Sequence, residues 1–177
     1  MEAVQTGVLL KTKVDDKVNS MTISWGTLGI EWATELFTVF VREHRFTKEQ
    51  IEKNPEFTIN IPLGAFDKKI LGVCGTKSGR DIDKFKEARL TKEEAQVVDA
   101  PVIAESPVNI ECKVEKIVPL GSHHMFMAKV VNIMVDDDYM EDNGRFALEK
   151  TNPLIYSHGG YYETGKKLGT FGYSVRK

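Results

Sequence analysis

Apolar and polar residues alternate with a period of two over residues 108–115, where Val108, Ile110, Cys112 and Val114 interleave with Asn109, Glu111, Lys113 and Glu115. That period sends successive side chains to opposite faces, so the segment reads as a strand with an apolar face inward and a charged face outward. The turn Pro119-Leu120-Gly121-Ser122 leads into a partner strand from His123 to Val135, closed by Asp136, Asp137 and Asp138, which predicts a long hairpin. Val4, Val8, Leu9, Leu10 and Val14 mark a first strand over residues 4–14, and Asp15-Asp16-Lys17 turns it into a second, Asn19 to Trp25. Leu36 to Arg42 is apolar on both faces, the pattern of a strand buried on both sides near the middle of a sheet. Phe57 to Ile61 alternates cleanly and stops at Pro62.

Helical spacing is confined to short pieces. Thr47 with Gln50 three residues later forms a capping-box pattern for a helix that ends before Pro55. Phe66, Ile70, Val73 and Cys74 share one helical face, stopped near Gly75. The loop 75–80 opens into another short helix with Asp81 as the expected N-cap and Ile82 and Phe85 on its inner face. Residues 99–107 carry two prolines and read as an extended connection, and the glycine- and aromatic-rich stretch after Pro153 reads as a tail lying on its own barrel or on a partner. Six or seven largely consecutive strands with inserted helices predict an antiparallel β-barrel or sandwich rather than a parallel α/β sheet. Neither a G-x-G-x-x-G turn after a strand nor a Walker A loop is present.

Composition narrows the functional classes. The 177 residues suit one compact domain over 1–177. A net charge of −2 with interspersed cations excludes the basic field that recruits nucleic acid. Cys74 and Cys112 sit in apolar patterns, as reduced core residues do. With neither a leader nor an apolar run of membrane-spanning length, the expectation is a cytoplasmic protein that does not bind membranes.

The second strand carries the first candidate chemistry. Asn19, Met21, Ile23 and Trp25 fall on one face and Ser20, Thr22 and Ser24 on the other, so short hydroxyls line an edge where they either hold a polar ligand or meet water. Arg42, His44, Arg45 and Thr47 crowd an expected helix start, and a guanidinium beside free N–H groups is suited to a phosphate. Ser78-Gly79-Arg80-Asp81, with Lys84 one turn on, repeats that pattern. His123 and His124 are adjacent on a strand, point to opposite faces and cannot share a metal, so no metal site is expected. Nothing supports nucleophilic hydrolysis.

These stretches together, Asn19 to Trp25, Val41 to Thr47 and Cys74 to Phe85, followed by Ser106 to Cys112 and Gly121 to Phe126, resemble the flavin reductase-like family, and within it the flavoredoxin subgroup. The resemblance covers nearly the whole chain, with Ser78-Gly79-Arg80-Asp81 its most specific piece. It implies a mainly β, Greek-key split β-barrel that binds FMN and works as a homodimer. It also implies an oxidoreductase taking electrons from NAD(P)H, or in the flavoredoxin manner from a redox protein, and passing them to a flavin, a small acceptor or a protein; a flavin-binding module without turnover is the third alternative. Position by position, Asn19, Ser20, Met21, Thr22, Ser24 and Trp25 would line the flavin and its ribityl chain. Arg45 and Thr47 would hold the phosphate with help from Ser78 and Lys84, and His123 would stand near the flavin or nicotinamide. The chain departs from the family pattern at Glu43-His44, where relatives have Pro-Ser, at Ser122, where they have Asp before the histidine, and at Ala128-Lys129, a change read as surface variation. The Ser122 change removes the expected orienting carboxylate.

Overall fold

The computed structural model describes residues 7–63, 68–151, 154–157, 160–163 and 165. Strands β1 (Val8–Val14) and β2 (Lys17–Ile23) form the expected hairpin, with Leu10 opposite Met21 and Thr12 opposite Asn19. Strands β3 (Gly26–Glu31) and β4 (Thr34–Arg42) form another. Helix α1 (Phe46–Lys53), strand β5 (Glu56–Ile61) and helices α2 (Lys68–Thr76) and α3 (Lys84–Ala88) follow. The two-residue strands β6 (Lys92–Glu93) and β7 (Val102–Ile103) pair with each other, and β8 (Val108–Pro119) and β9 (His123–Val135) make the long hairpin. Helix α4 (Leu148–Thr151) and a terminal hairpin, β10 (Leu154–Ser157) with β11 (Gly160–Glu163), complete the described chain.

Seven strands form one antiparallel sheet in the order β2-β1-β5-β8-β9-β4-β3. Its two edge strands are consecutive in sequence, joined only by Ser24 and Trp25, so the sheet curls until its edges meet in a Greek-key barrel. β2 and β3 are not hydrogen-bonded to each other, which leaves the barrel split along that seam. Val8, Leu10, Ile23, Phe37, Val39, Val41, Phe57, Ile59, Val108, Ile110, Cys112, Phe126 and Ala128 fill the interior, and Ile51 of α1 joins them. Outside, Leu9 packs with Cys74, Phe85, Leu90 and Ile103 beneath α2 and α3.

Several sequence expectations are corrected here. β3 had no strand signal, because its residues are nearly all exposed and its alternation meets no core. β4 lies next to an edge strand rather than mid-sheet; its outward Leu36 and Phe40 are only half-buried, and the apolar pattern overstated that face. Asp83, not Asp81, caps α3, accepting from the N–H groups of Phe85 and Lys86, while the N–H groups of Asp81 and Ile82 both bond back to the Ser78 carbonyl in a turn. α1 starts earlier than expected: Arg45 occupies the N-cap position without a side-chain bond, and Thr47 is buried inside the first turn. Ala128 is core, leaving only Lys129 as surface. Phe66 and the ends of the tail lie outside the described residues.

Two buried charged residues stand out. Glu111 points outward as expected but is covered by the loop after β6. Burial raises its carboxyl, yet the Asn132 amide and the N–H groups of Gln96, Val97 and Val98 more than offset this and hold it below the usual carboxylate range. Lys11 is fully buried on the outer face of β1, with its Nζ unpartnered and 5.8 Å from the Phe85 ring centroid. Burial, opposed by Cys74 and Glu105 and reinforced by Lys84, pulls its ammonium from 10.5 down to about 7. The folded chain therefore binds fewer protons than the unfolded chain between those two values, so stability rises with pH across that window. Replacing Lys11→Met is expected to stabilise the protein at pH 7 by about 1–3 kcal/mol, the cost of an unsatisfied buried polar group. It should also flatten the rise, as read from urea denaturation at pH 7 and pH 9.

Candidate functional site

A groove runs along the split. Its narrow half, about 180 Å³, lies between α2, the loop 77–80 and the start of α1; its wide half, about 360 Å³, lies between the ends of β2, β4 and β9. Met21, Arg45 and Gly75 line both halves and make them one continuous depression. Gly75 faces β2 where α2 packs on it: a Cβ there would stand 3.4 Å from Thr22 Cβ, an ordinary contact distance.

The narrow half is cationic. His44, Arg45, Lys77, Arg80 and Lys84 line it together with Ser78 and Gly79, and no carboxylate does. Arg80 is tied to Glu49, donates to the His44 carbonyl at 3.3 Å and lies over the Phe46 ring, which stiffens the rim. The buried Lys84 ammonium donates to the carbonyls of Ser20 (2.7 Å) and Cys74 (2.8 Å), which pins α3 to β2 and α2 and leaves one of its three protons unassigned. Burial lowers its pKa; Cys74 opposes the fall and Arg45 adds to it. The Arg45 guanidinium has neither a hydrogen bond nor an ion pair among the described residues.

The strand that sequence reasoning placed at the centre divides its side chains differently from expectation. Alternation holds, but the hydroxyl face lies under α2: the fully buried Ser20 has its Oγ 3.3 Å from Cys74 Sγ, and Thr22 Oγ1 donates to the Leu71 carbonyl at 2.7 Å. Thr22 still borders the wide half, Ser24 is exposed beside it, and Ser20 lines neither half. Asn19 and Met21 are the β2 side chains that reach the narrow half. Asn19 Nδ2 donates to Thr47 Oγ1 at 2.8 Å, so Thr47 is a buried support rather than a lining residue. Asn19 Oδ1 is buried without a partner.

Trp25, beyond the end of β2, and His123, the first residue of β9, meet in the wide half with ring centroids 5.0 Å apart. Ser122 Oγ lies 2.8 Å from His123 Nδ1, so the residue that replaces the expected carboxylate still holds the imidazole. His124 points the other way, toward Glu43 Oε2 at 2.9 Å and Phe126. Phe40, Phe46 and Gly75 also line the groove and were not singled out as site residues, while Arg42, expected beside Arg45 at the helix start, lines the wide half and no part of the narrow one. Phe40 carried no signal beyond its place in an apolar strand.

The split barrel thus has a cationic cleft at one end of its seam and an aromatic hollow at the other. The chain belongs to the flavin reductase-like family, whose domain matches residues 1–165. It is 30% identical over 116 residues to an uncharacterized protein of Aquifex aeolicus, covering 66% of this chain and 59% of that one, so it spans less than two thirds of that relative. Among solved structures it resembles the flavoredoxin of Desulfovibrio vulgaris (Miyazaki F), with a TM-score of 0.84 and 26% identity over 96% of this chain and 92% of that chain. The flavoredoxin from Methanosarcina acetivorans shares the fold, with a TM-score of 0.80 and 24% identity over 96% and 91% of the two chains. Among the described residues no helix is long and apolar enough to cross a membrane, and no cluster of His, Cys, Asp or Glu could hold a metal ion.

Gly79 sets how closely the loop approaches β2. A Cβ there would lie 2.2 Å from Asn19 Oδ1 and 2.9 Å from its Cγ, with Phe46 on another side at 3.2 Å. Gly79→Ala is therefore expected to destabilise the fold by about 1–3 kcal/mol through overpacking. Much of that loss should return in an Asn19→Ala background, a coupling that a double-mutant cycle by urea denaturation measures.

Proposed function

We propose that the chain binds one FMN in this groove and acts as an oxidoreductase, accepting electrons from NAD(P)H and passing them to a flavin, a small acceptor or a redox protein. The observation that carries this reading is the unpaired Arg45 at the joint of a cleft that several cations and no carboxylate line. A phosphate there would accept charge-assisted bonds from Arg45, with Ser78, the Gly79 backbone and Lys84 around it. The residues fit the group in two further respects. Gly79 lets the loop backbone come close against β2, where a Cβ would collide with Asn19, and the orphaned acceptor on Asn19 matches a ligand hydroxyl of the kind a ribityl chain carries. Met21, Thr22, Ser24 and Trp25 border the half that would take the ring, and His123, held by Ser122, faces the same space.

When bound, FMN supplies the redox chemistry; the protein orients it, excludes water and sets its electrostatic surroundings. A homodimer is part of the proposal. Leu28, Ile30 and Trp32 expose 53%, 73% and 99% of their surface on the edge hairpin, an apolar stripe that a second copy would cover. Trp32 also holds a φ of +57°, a strained conformation for a bulky residue. Sedimentation at micromolar concentration should read a dimer, and a monomer would remove this part.

The rival reading is an electron carrier in the manner of the flavoredoxins that the fold resembles. Rapid mixing of the FMN-loaded protein with NADH and NADPH is expected to bleach the flavin band with at least one of them; bleaching only by a reduced protein donor would favour the carrier. Arg45→Ala is expected to weaken FMN retention by about 1.5–3 kcal/mol, the worth of a hydrogen bond to a charged group. Unchanged flavin content after dialysis would refute the phosphate assignment.

A further inference from the structure

A second unpaired guanidinium lines the groove, and the phosphate reading does not use it. Arg42 ends β4 directly across from His123, and it shares the wide half with Trp25, Phe40 and His123 while lining no part of the narrow half. Some cations elsewhere on the surface find acids, among them Lys13 with Asp99, Lys77 with Glu87 and Lys113 with Glu56. The carboxylate next to Arg42 in sequence, Glu43, points away and is taken by Lys48 (2.8 Å) and His124 (2.9 Å). Arg42 has no such partner among the described residues, and no carboxylate lines the wide half.

An oxidised flavin ring is neutral, so in that state it offers a guanidinium at this end carbonyl acceptors and no full charge. A fork-shaped cation beside a half-exposed tryptophan and an imidazole matches a planar ring with a carboxylate attached directly to it: the ring finds aromatic faces and the carboxylate a bidentate donor.

We propose that the wide half of the groove is a subsite for an aromatic carboxylate as co-substrate, its ring against Trp25 and His123 and its carboxylate on Arg42. This rests on the flavin reading, since the flavin would form the floor of the subsite.

The test is a titration of the FMN-loaded protein with benzoate and with its neutral isostere benzamide, read as a perturbation of the visible flavin band. Benzoate is expected to bind at least about tenfold more tightly, as a charge-assisted pair implies. Arg42→Gln should bring the two affinities together while FMN retention stays as in the wild type, and Arg42→Lys should keep part of the preference. Equal binding of the two probes by the wild type overturns the proposal without any variant. So does a benzoate preference that survives Arg42→Gln, or a loss of FMN retention in that variant, which would assign Arg42 to the cofactor. A rise in KM for NADPH with the benzoate preference intact would assign it to a dinucleotide phosphate and likewise overturn the proposal. Failure of the underlying reading is distinct: that protein takes up no FMN, and its flavin content after reconstitution and dialysis reports this before any titration.

Discussion

Ser24 and Trp25 are the constraint on which the rest of the structure depends. The two residues join strands that the hydrogen-bonding order places at opposite edges of a seven-stranded sheet. A flat sheet of that width would hold its edges about 29 Å apart at ordinary strand spacing, whereas two linking residues can bridge about 11 Å. The sheet must therefore close on itself. Pairing does not complete the closure, because β2 and β3 are not hydrogen-bonded to each other, and the seam stays open. A groove lies along this seam, with its two ends defined by which loops reach it.

What fills the seam follows from what else must be covered. The outer face of β1 and β2 carries Leu9, Lys11, Ser20 and Thr22, and α2 and α3 are laid over it. The loop joining those helices, residues 77–83, then necessarily runs past the open edge of β2 and meets the start of α1 there. Gly79 and Asn19 are the point of contact. Arg45, Arg80 and Lys84 arrive at one cleft from three elements because each element has a separate structural reason to end at that place.

This explains which parts were legible in the sequence. The interior was readable because the barrel has one apolar side, and period-two alternation over Val108 to Val114 and Phe57 to Ile61 reports it directly. The outer face of β2 was not, because a hydroxyl bonded to Leu71 or resting on Cys74 looks in sequence like one facing a ligand or water. Thr47 misled for a related reason: its spacing to Gln50 imitates a capping box, while in the fold its hydroxyl supports Asn19 from 28 residues away. β3 lacked a signal because strand pattern is a record of burial, and this hairpin is exposed. The resemblance carried by Ser78-Gly79-Arg80-Asp81 pointed to a loop that lines the narrow half of the groove even though the helix expected there starts later, at Lys84, since close approach depends on the glycine rather than on the helix.

The distribution of charge works against the fold's own stability. A chain with a net charge of −2 has carboxylates enough to pair every cation near the groove, yet Arg42 and Arg45 stand unpaired and Lys84 is buried against carbonyl dipoles. Lys11 lies close enough behind them for its ammonium to be depressed in part by Lys84. Like charges gathered in a partly dry cleft repel one another and cost more than the same charges dispersed in water. Such an arrangement persists where an anion supplied from outside offsets it, and then the free energy missing from the empty barrel reappears as ligand affinity and as ligand-dependent stability. Arg42, Arg45 and Lys84 bring this cost to the seam, where the sheet is already open.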